Sequence, residues 1–212
     1  MDAARIAALL EPFVETALAD SQLEQISTYI DLLVRWNARI NLTAIRKEDE
    51  IVTRHFGESF FLSRHVFPTE ARSSSARVVD IGSGAGFPGL PLKLWATKIQ
   101  LTMIESNHKK AAFLREVARE LTLTNVDVIT DRAESIAGRD DYRAEVVTLR
   151  AVENFETILP LAAKFLSAYG TLALLIGAAQ VPALETLSEI QWREPIPVPE
   201  SRARVLSIGV HP

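Results

Sequence analysis

The segment Asp80-Ile81-Gly82-Ser83-Gly84-Ala85-Gly86-Phe87-Pro88-Gly89 carries the densest chemical signal in the chain. An apolar, β-branched run through Val78-Val79 enters a cluster of four glycines, and a helical pattern follows from Pro88. Glycine has no Cβ, so it accepts positive φ and lets a ligand touch the backbone. A helix start adds N–H groups and partial positive charge at the same place. Strand, glycine turn and helix in that order make a ligand site at the carboxyl edge of an open α/β sheet. Further marks lie downstream at strand ends: Glu105, then Asp131-Arg132-Ala133-Glu134, then Arg150 with Ala151 and Val152 after it.

The spacing selects among nucleotide cofactors. The phosphate loop G-x-x-x-x-G-K-[ST] is absent. The dinucleotide fingerprint G-x-G-x-x-G is broken, because the third glycine comes one place early at Gly86 and Phe87 stands in its position. What remains is D-x-G-x-G-x-G, which resembles the first motif of class I S-adenosylmethionine (SAM) methyltransferases. SAM has no pyrophosphate to cradle, and Asp80 at the strand end is expected to meet its ammonium side. Glu105 stands about nineteen residues past Gly86, where an acidic residue accepts both ribose hydroxyls. Such charge-assisted bonds contribute roughly 1.5–3 kcal/mol. Residues of the Asp131-Arg132-Ala133-Glu134 stretch would flank the adenine of a doubly wound sheet, and Arg150 could hold substrate phosphate or cofactor. Each mark alone also fits a plain turn, a solvated carboxylate, a helix cap or a surface salt bridge. Together they indicate an adenosine cofactor.

Composition removes other chemistries. The chain has no cysteine, so disulfides, Cys-ligated metals and a Cys nucleophile are out, which suits a cytoplasmic location. Its four histidines form no metal-ligand spacing, and no metal is expected. The longest apolar run, 171–179, is far short of a membrane span, so no membrane partner is expected. A formal charge of −4 offers no general attraction for nucleic acid, so an RNA must be held by local patches. Two stretches qualify. Between Arg35 and Arg77 there are eight Lys/Arg against five Asp/Glu, and between Lys93 and Arg119 six against two. The alternative for both is a solvated helix face.

These residues need a scaffold. An amphipathic helix is expected over 2–19, a second from the capping pattern Ser21-Gln22-Leu23-Glu24 with apolar face Leu23, Ile26, Ile30, Leu33 and Ile40, and a third over 48–65. Residues 1–67 read as a helical N-terminal cap and the polar stretch 68–75 as a linker. From 76 to 212 strands and helices alternate: strands at 77–81, 99–104, 126–130, 145–149 and 171–176, with helices at 88–97, 107–121 and 154–168. A helix at 178–190 and a terminal hairpin near 191–198 and 203–210 complete it. That alternation predicts an α/β fold with a mostly parallel, Rossmann-like sheet covered on both faces.

Several pieces together resemble the bacterial 16S rRNA guanine-N7 methyltransferase family, also called glucose-inhibited division protein B. They are Trp36-Asn37 with Asn41-Leu42-Thr43, Arg54-His55 with Glu58-Ser59, the turn through Phe87-Pro88-Gly89, Glu105-Ser106 with Lys109-Lys110 and Phe113-Leu114, and Leu149-Arg150-Ala151. The resemblance implies a class I SAM-dependent methyltransferase acting on N7 of a guanosine in 16S rRNA of the small ribosomal subunit. It places cofactor contacts on Gly82, Phe87, Ala133, Glu134 and Arg150, beside Asp80, Gly84, Gly86 and Glu105 from the turn chemistry. Arg54, His55, Lys109, Lys110 and Arg204 are the candidates for holding RNA. One departure stands out: the family usually shows Lys-Gly after the fifth strand, and this chain has Ile176-Gly177.

Guanine N7 has a lone pair and no proton, so its methylation needs alignment and no general base; alignment can supply roughly 7–11 kcal/mol. No catalytic acid–base pair is therefore expected, and Arg150 is the one candidate near the chemistry. Three alternatives remain open from the residues: an NAD(P) oxidoreductase, a non-catalytic ribosome-binding module, and a SAM-dependent methyltransferase with another substrate.

Overall fold

A computed structural model of the chain describes residues 1–151 and 154–212; Val152 lies outside the described residues. Five strands form the parallel part of the sheet: β1 (Arg77–Ile81), β2 (Gln100–Ile104), β3 (Val126–Ile129), β4 (Ala144–Arg150) and β5 (Leu166–Gly177). Three shorter or antiparallel pieces follow: β6 (Gln191–Trp192), β7 (Ile196–Pro197) and β8 (Arg204–Val210). The strand order is β3-β2-β1-β4-β5-β8-β6, with β7 also on β8. Pairings from β3 through β5 are parallel and those to β8 antiparallel. The order reverses between β1 and β4, and a crevice opens at the carboxyl ends of strands at such a switch point. The glycine turn after β1 and Arg150 at the end of β4 therefore face one another across it.

Before the sheet come α1 (Ala3–Leu10), α2 (Asp20–Asn37), α3 (Glu48–Ile51) and α4 (Glu58–Val66), the last two joined by a π-helical segment Val52–Gly57. Within and after the sheet come α5 (Gly89–Trp95), α6 (His108–Glu120), α7 (Ala133–Ile136) and α8 (Phe155–Ala163). The first helix stops at Leu10 rather than running to 19. Pro12 lacks an N–H and turns the chain into a short 3₁₀ segment, Glu11–Phe13. The second helix begins at Asp20, with the Gln22 side chain accepting from the Ala19 N–H at 2.9 Å, so Ser21 is inside the helix and not its cap. Ile40 falls beyond its end.

Two more elements differ from the sequence pattern. The predicted helix 154–168 ends at Ala163, because the backbone from Phe165 pairs with β4: the Ala144 N–H donates to the Phe165 carbonyl at 2.8 Å. The predicted helix 178–190 is a 3₁₀ segment, Ala178–Thr186, with Pro182 inside it removing a donor. The sheet separates two apolar clusters. One packs Phe13, Tyr29, Phe56 and Phe60 from the N-terminal helices against Val78, Leu101, Met103 and Leu175. The other packs Val147, Leu149 and Ile176 against Phe155, Leu159, Leu184 and Leu187. The N-terminal helices thus share one core with the sheet face that carries the glycine turn.

Candidate functional site

Gly82, Gly84 and Gly86 all have positive φ, at 66°, 57° and 88°. At Gly86 the need is also steric: an added Cβ would lie 2.5 Å from Leu90 Cδ1 and 3.1 Å from Leu114 Cδ2, and against the Tyr29 hydroxyl. The turn is internally bonded. Gly82 and Ser83 N–H donate to the Ile104 carbonyl at 2.9 and 3.2 Å, Gly86 N–H to the Ser83 carbonyl at 2.7 Å, and Gly84 N–H to Glu105 Oε2 at 2.9 Å. Four of its amides are therefore engaged rather than left as a phosphate cradle. That fits a cofactor without a pyrophosphate.

Asp80 does not face the crevice. It is fully buried; Oδ1 accepts from the Thr148 hydroxyl at 2.7 Å, and Oδ2 lies beside Gly89 at the start of α5 with no hydrogen-bond partner among the described residues. Burial raises its carboxyl to a pKa of about 6, partly offset by the Thr148 bond and more distantly by Arg150. The strand-end aspartate thus sits beneath the turn, because the pleat at position 80 points its side chain toward the helix layer. The expectation of direct contact with an ammonium group gives way to a supporting position.

Phe87 is stacked on both faces. His55 lies 4.6 Å away at 15°, Tyr29 5.3 Å away at 4°, and Phe56 meets it edge-on at 5.1 Å. The Tyr29 hydroxyl donates to the Ala85 carbonyl at 2.5 Å, and burial pushes its phenol well above the usual range, so it stays protonated as a donor. The sequence reading passed over Tyr29. The signal was present, since Tyr29 falls in helical register between Ile26 and Ile30 on the buried face of α2.

The side of the crevice nearest the N-terminal helices is a hydrogen-bonded chain. Arg150 is buried; Nη1 donates to His55 Nδ1 at 3.0 Å, and Nη2 donates to the Arg54 carbonyl at 2.5 Å and to Glu58 Oε2 at 3.0 Å. A guanidinium only donates, so His55 Nδ1 accepts and the ring proton is on Nε2, which donates to Thr43 Oγ1 at 2.8 Å. Burial, then the charges of Arg150, Arg204 and Arg54, lower the His55 pKa to about 2. His55 is therefore a neutral connector whose two ring nitrogens are both used inside the protein, so what it presents to the second cleft is a ring and not a charge. Asn37 anchors the loop bearing Thr43: its Oδ1 accepts from Leu42 and Thr43 N–H at 2.9 and 3.1 Å, and its Nδ2 donates to the Thr43 carbonyl at 3.0 Å.

The described surface holds two clefts that meet at Gly82 and Glu105. The first, about 310 Å³, is lined by Ile104, Ser106, Asp131, Ala133, Glu134 and Ile158 beside those two residues. The second, about 230 Å³, is lined by Thr43, His55, Gly84, Phe87, Lys110 and Arg150 beside them. Glu105 is buried between the two; Oε2 accepts from Gly84 N–H, and Oε1 from Asn107 N–H at 2.7 Å. Each oxygen keeps acceptor capacity for a hydroxyl. Lys110 is half-buried at the second cleft, whereas Lys109 is exposed on the first turn of α6 and Arg54 is exposed at the cap surface. Arg204 on β8 reaches Glu58 Oε2 at 3.0 Å. Ile176 faces the opposite side of the sheet from Arg150, packed in the second apolar cluster, so it takes no place among these arginines.

The switch-point crevice, the bonded glycine turn and the acidic strand end define a class I SAM-dependent methyltransferase. Solved structures share the fold: ribosomal protein L11 methylase from Lactobacillus delbrueckii subsp. bulgaricus (TM-score 0.61, 12% identity, covering 75% of this chain and 79% of that one) and a SAM-dependent methyltransferase from Aquifex aeolicus (TM-score 0.55, 14% identity, 71% and 89%). The family described as "GidB: rRNA small subunit methyltransferase G" matches residues 22–192, and the chain belongs to that family. Relatives named ribosomal RNA small subunit methyltransferase G include those of Chloroflexus aggregans (38% identical, 90% of this chain and 82% of the relative) and Roseiflexus castenholzii (39%, 91% and 85%). The reaction is SAM-dependent methylation of guanine N7 in 16S rRNA.

Proposed function

We propose that the two clefts divide the cofactor between them. The adenosine lies in the cleft of Ala133 and Glu134 with its ribose on Glu105, and the methionine end runs past Gly82 and Gly84 toward Phe87 and Arg150. When bound, SAM supplies an electrophilic methyl group. Asp80 supports the turn from below and Gly86 admits the Tyr29 hydroxyl. The observation that carries this reading is the meeting of both clefts at Gly82 and Glu105, at the point where strand order reverses.

The protein's own part in the chemistry is holding. Guanine N7 needs no proton removed, and the nearest histidine is neutral with both nitrogens engaged, so no side chain is asked to act as a base. Rigid walls around the second cleft, Phe87 between two rings and Arg150 bonded to three partners, fix the approach of the base. Lys109, Lys110, Arg54 and Arg204 meet the RNA, Lys110 nearest the cleft. Residues 1–67 act as a helical cap on a SAM-binding unit of residues 76–212, and a ribosomal substrate sets the reaction in the cytoplasm.

Small subunits lacking the modification, incubated with the protein and methyl-labelled SAM, test the reading. Label at N7 of one guanosine is expected. SAM binding without transfer would leave a ribosome-binding module, and turnover of a small molecule without RNA would replace the substrate assignment.

A further inference from the structure

Glu58 is a carboxylate with 1% exposure that accepts from three arginines of three separate elements. Arg54 Nε, from the π-helical segment, reaches Oε1 at 3.1 Å; Arg150 Nη2, from the end of β4, and Arg204 Nη1, from the start of β8, each reach Oε2 at 3.0 Å. One carboxylate against three guanidiniums leaves two positive charges, because the adjacent His55 is neutral. The three arginines differ in access. The Arg150 side chain is 6% exposed, but those of Arg54 and Arg204 are 47% and 26% exposed. Each of the two exposed arginines gives Glu58 a single N–H group, and among the described residues neither has another side-chain hydrogen bond. Neither lines the two clefts assigned to the cofactor.

We infer that Arg54 and Arg204 form a subsite for one backbone phosphate of the RNA, preset by Glu58 as a positioning residue. The inference rests on the rRNA reading above and adds the subsite and its organiser. A buried carboxylate surrounded by cations has a physical purpose here. It ties one flexible fork to each of its two oxygens, so that less side-chain freedom is lost when a phosphate takes their remaining donors. The planar, bidentate donor set suits a phosphate oxygen pair. The π-helical segment places Arg54 and Glu58 on one face, and such segments recur at functional sites.

The test uses the full chain with unmodified small subunits and with their rRNA alone. Arg54→Ala and Arg204→Ala should each raise the KM for subunits about three- to tenfold. Each should also lower the slope of log affinity for rRNA against log salt by about 0.7–0.9. SAM affinity should stay within about twofold, the spread of a substitution that loses no contact. Glu58→Gln should raise KM as well but keep the salt slope, because both arginines stay charged. Thermal melts establish that each variant is folded; Arg54→Ala, being at the surface, keeps the test open if Glu58→Gln fails to fold. Unchanged salt slopes in both arginine variants would overturn the subsite. A fall in SAM affinity as large as the rise in KM would instead assign these arginines to the cofactor. Wild-type protein that binds no rRNA at all would remove the rRNA reading, and the subsite with it.

Discussion

The two clefts that meet at Gly82 and Glu105 are built in different ways. The first draws its lining from strand ends, the turns after them and the helices α7 and α8 that follow: Ile104 to Ser106, Asp131 to Glu134, and Ile158. The second takes one wall from the N-terminal helices and their loop, through Leu42, Thr43 and His55, and the other from the glycine turn and Arg150. The first cleft is a property of βα units, each short in sequence. The second exists only where residues distant in the chain are packed together, as His55 and Arg150, 95 positions apart, are at 3.0 Å. The division suggests that the adenosine end of the cofactor depends on local turns, and the reactive end on docking of the cap.

The largest test breaks both clefts at once. Gly86→Ala puts a Cβ on a residue with φ of 88°, against Tyr29 and Leu90, and should cost about 3 kcal/mol of stability by urea unfolding. An unchanged midpoint would mean that the turn re-forms without glycine. Glu105→Ala removes the carboxylate at the junction. Its expected cost is about 1.5–3 kcal/mol of SAM binding, or roughly ten- to a hundredfold in Kd by calorimetry. Retained affinity would take Glu105 out of the site.

A pH experiment separates the support beneath the turn from the cap-side wall. Burial raises the folded-state pKa of Asp80 from the ordinary 3.8 to about 6. The folded state therefore binds the proton more tightly, and stability falls as pH rises between those values. His55 is shifted from 6.5 to about 2, so the unfolded state binds its proton, and stability rises with pH over that range. Between about pH 4 and 6 the two contributions oppose one another. Asp80→Asn removes the first, so its stability relative to wild type should rise by about 1.4 kcal/mol per pH unit across that window. Parallel curves for the two proteins would show that Asp80 is already ionised there.

The smallest effect should be the most selective. Tyr29→Phe keeps the stack on Phe87 and loses only the bond to the Ala85 carbonyl, about 1 kcal/mol. It should weaken SAM binding a few-fold and leave adenosine binding unchanged, since adenosine probes the first cleft alone. Equal losses for both ligands would erase the distinction between the clefts.

Legibility followed the same division. The strands of the parallel sheet were readable because short β-branched runs between glycine or polar punctuation admit few alternatives. Helix ends were less so. Pro12 and Pro182 end or tighten segments whose apolar spacing looked helical throughout, and the residues from Phe165 pair with β4 although local pattern continued the helix. At the site, Glu105 and, far along the chain from it, Ala133 and Glu134 line one cleft. That Asp80 is buried beneath the turn, and that both ring nitrogens of His55 have internal partners, no residue type announces. Glu58 was visible only as part of a motif, and nothing local marks it as the partner of Arg150 and Arg204, 92 and 146 residues away.

The linear chain by itself determined the parallel sheet, the glycine turn that excludes a phosphate loop and a dinucleotide, and the acidic strand end beside it. These depend on interactions within one turn or between adjacent strands, which short-range sequence encodes. Tertiary structure decided the rest: that Phe87 lies between Tyr29 and His55, that His55 is neutral, and that one buried carboxylate gathers three arginines. Those features come from low-dielectric burial and from contacts between distant elements, and neither exists until the cap and sheet share one core.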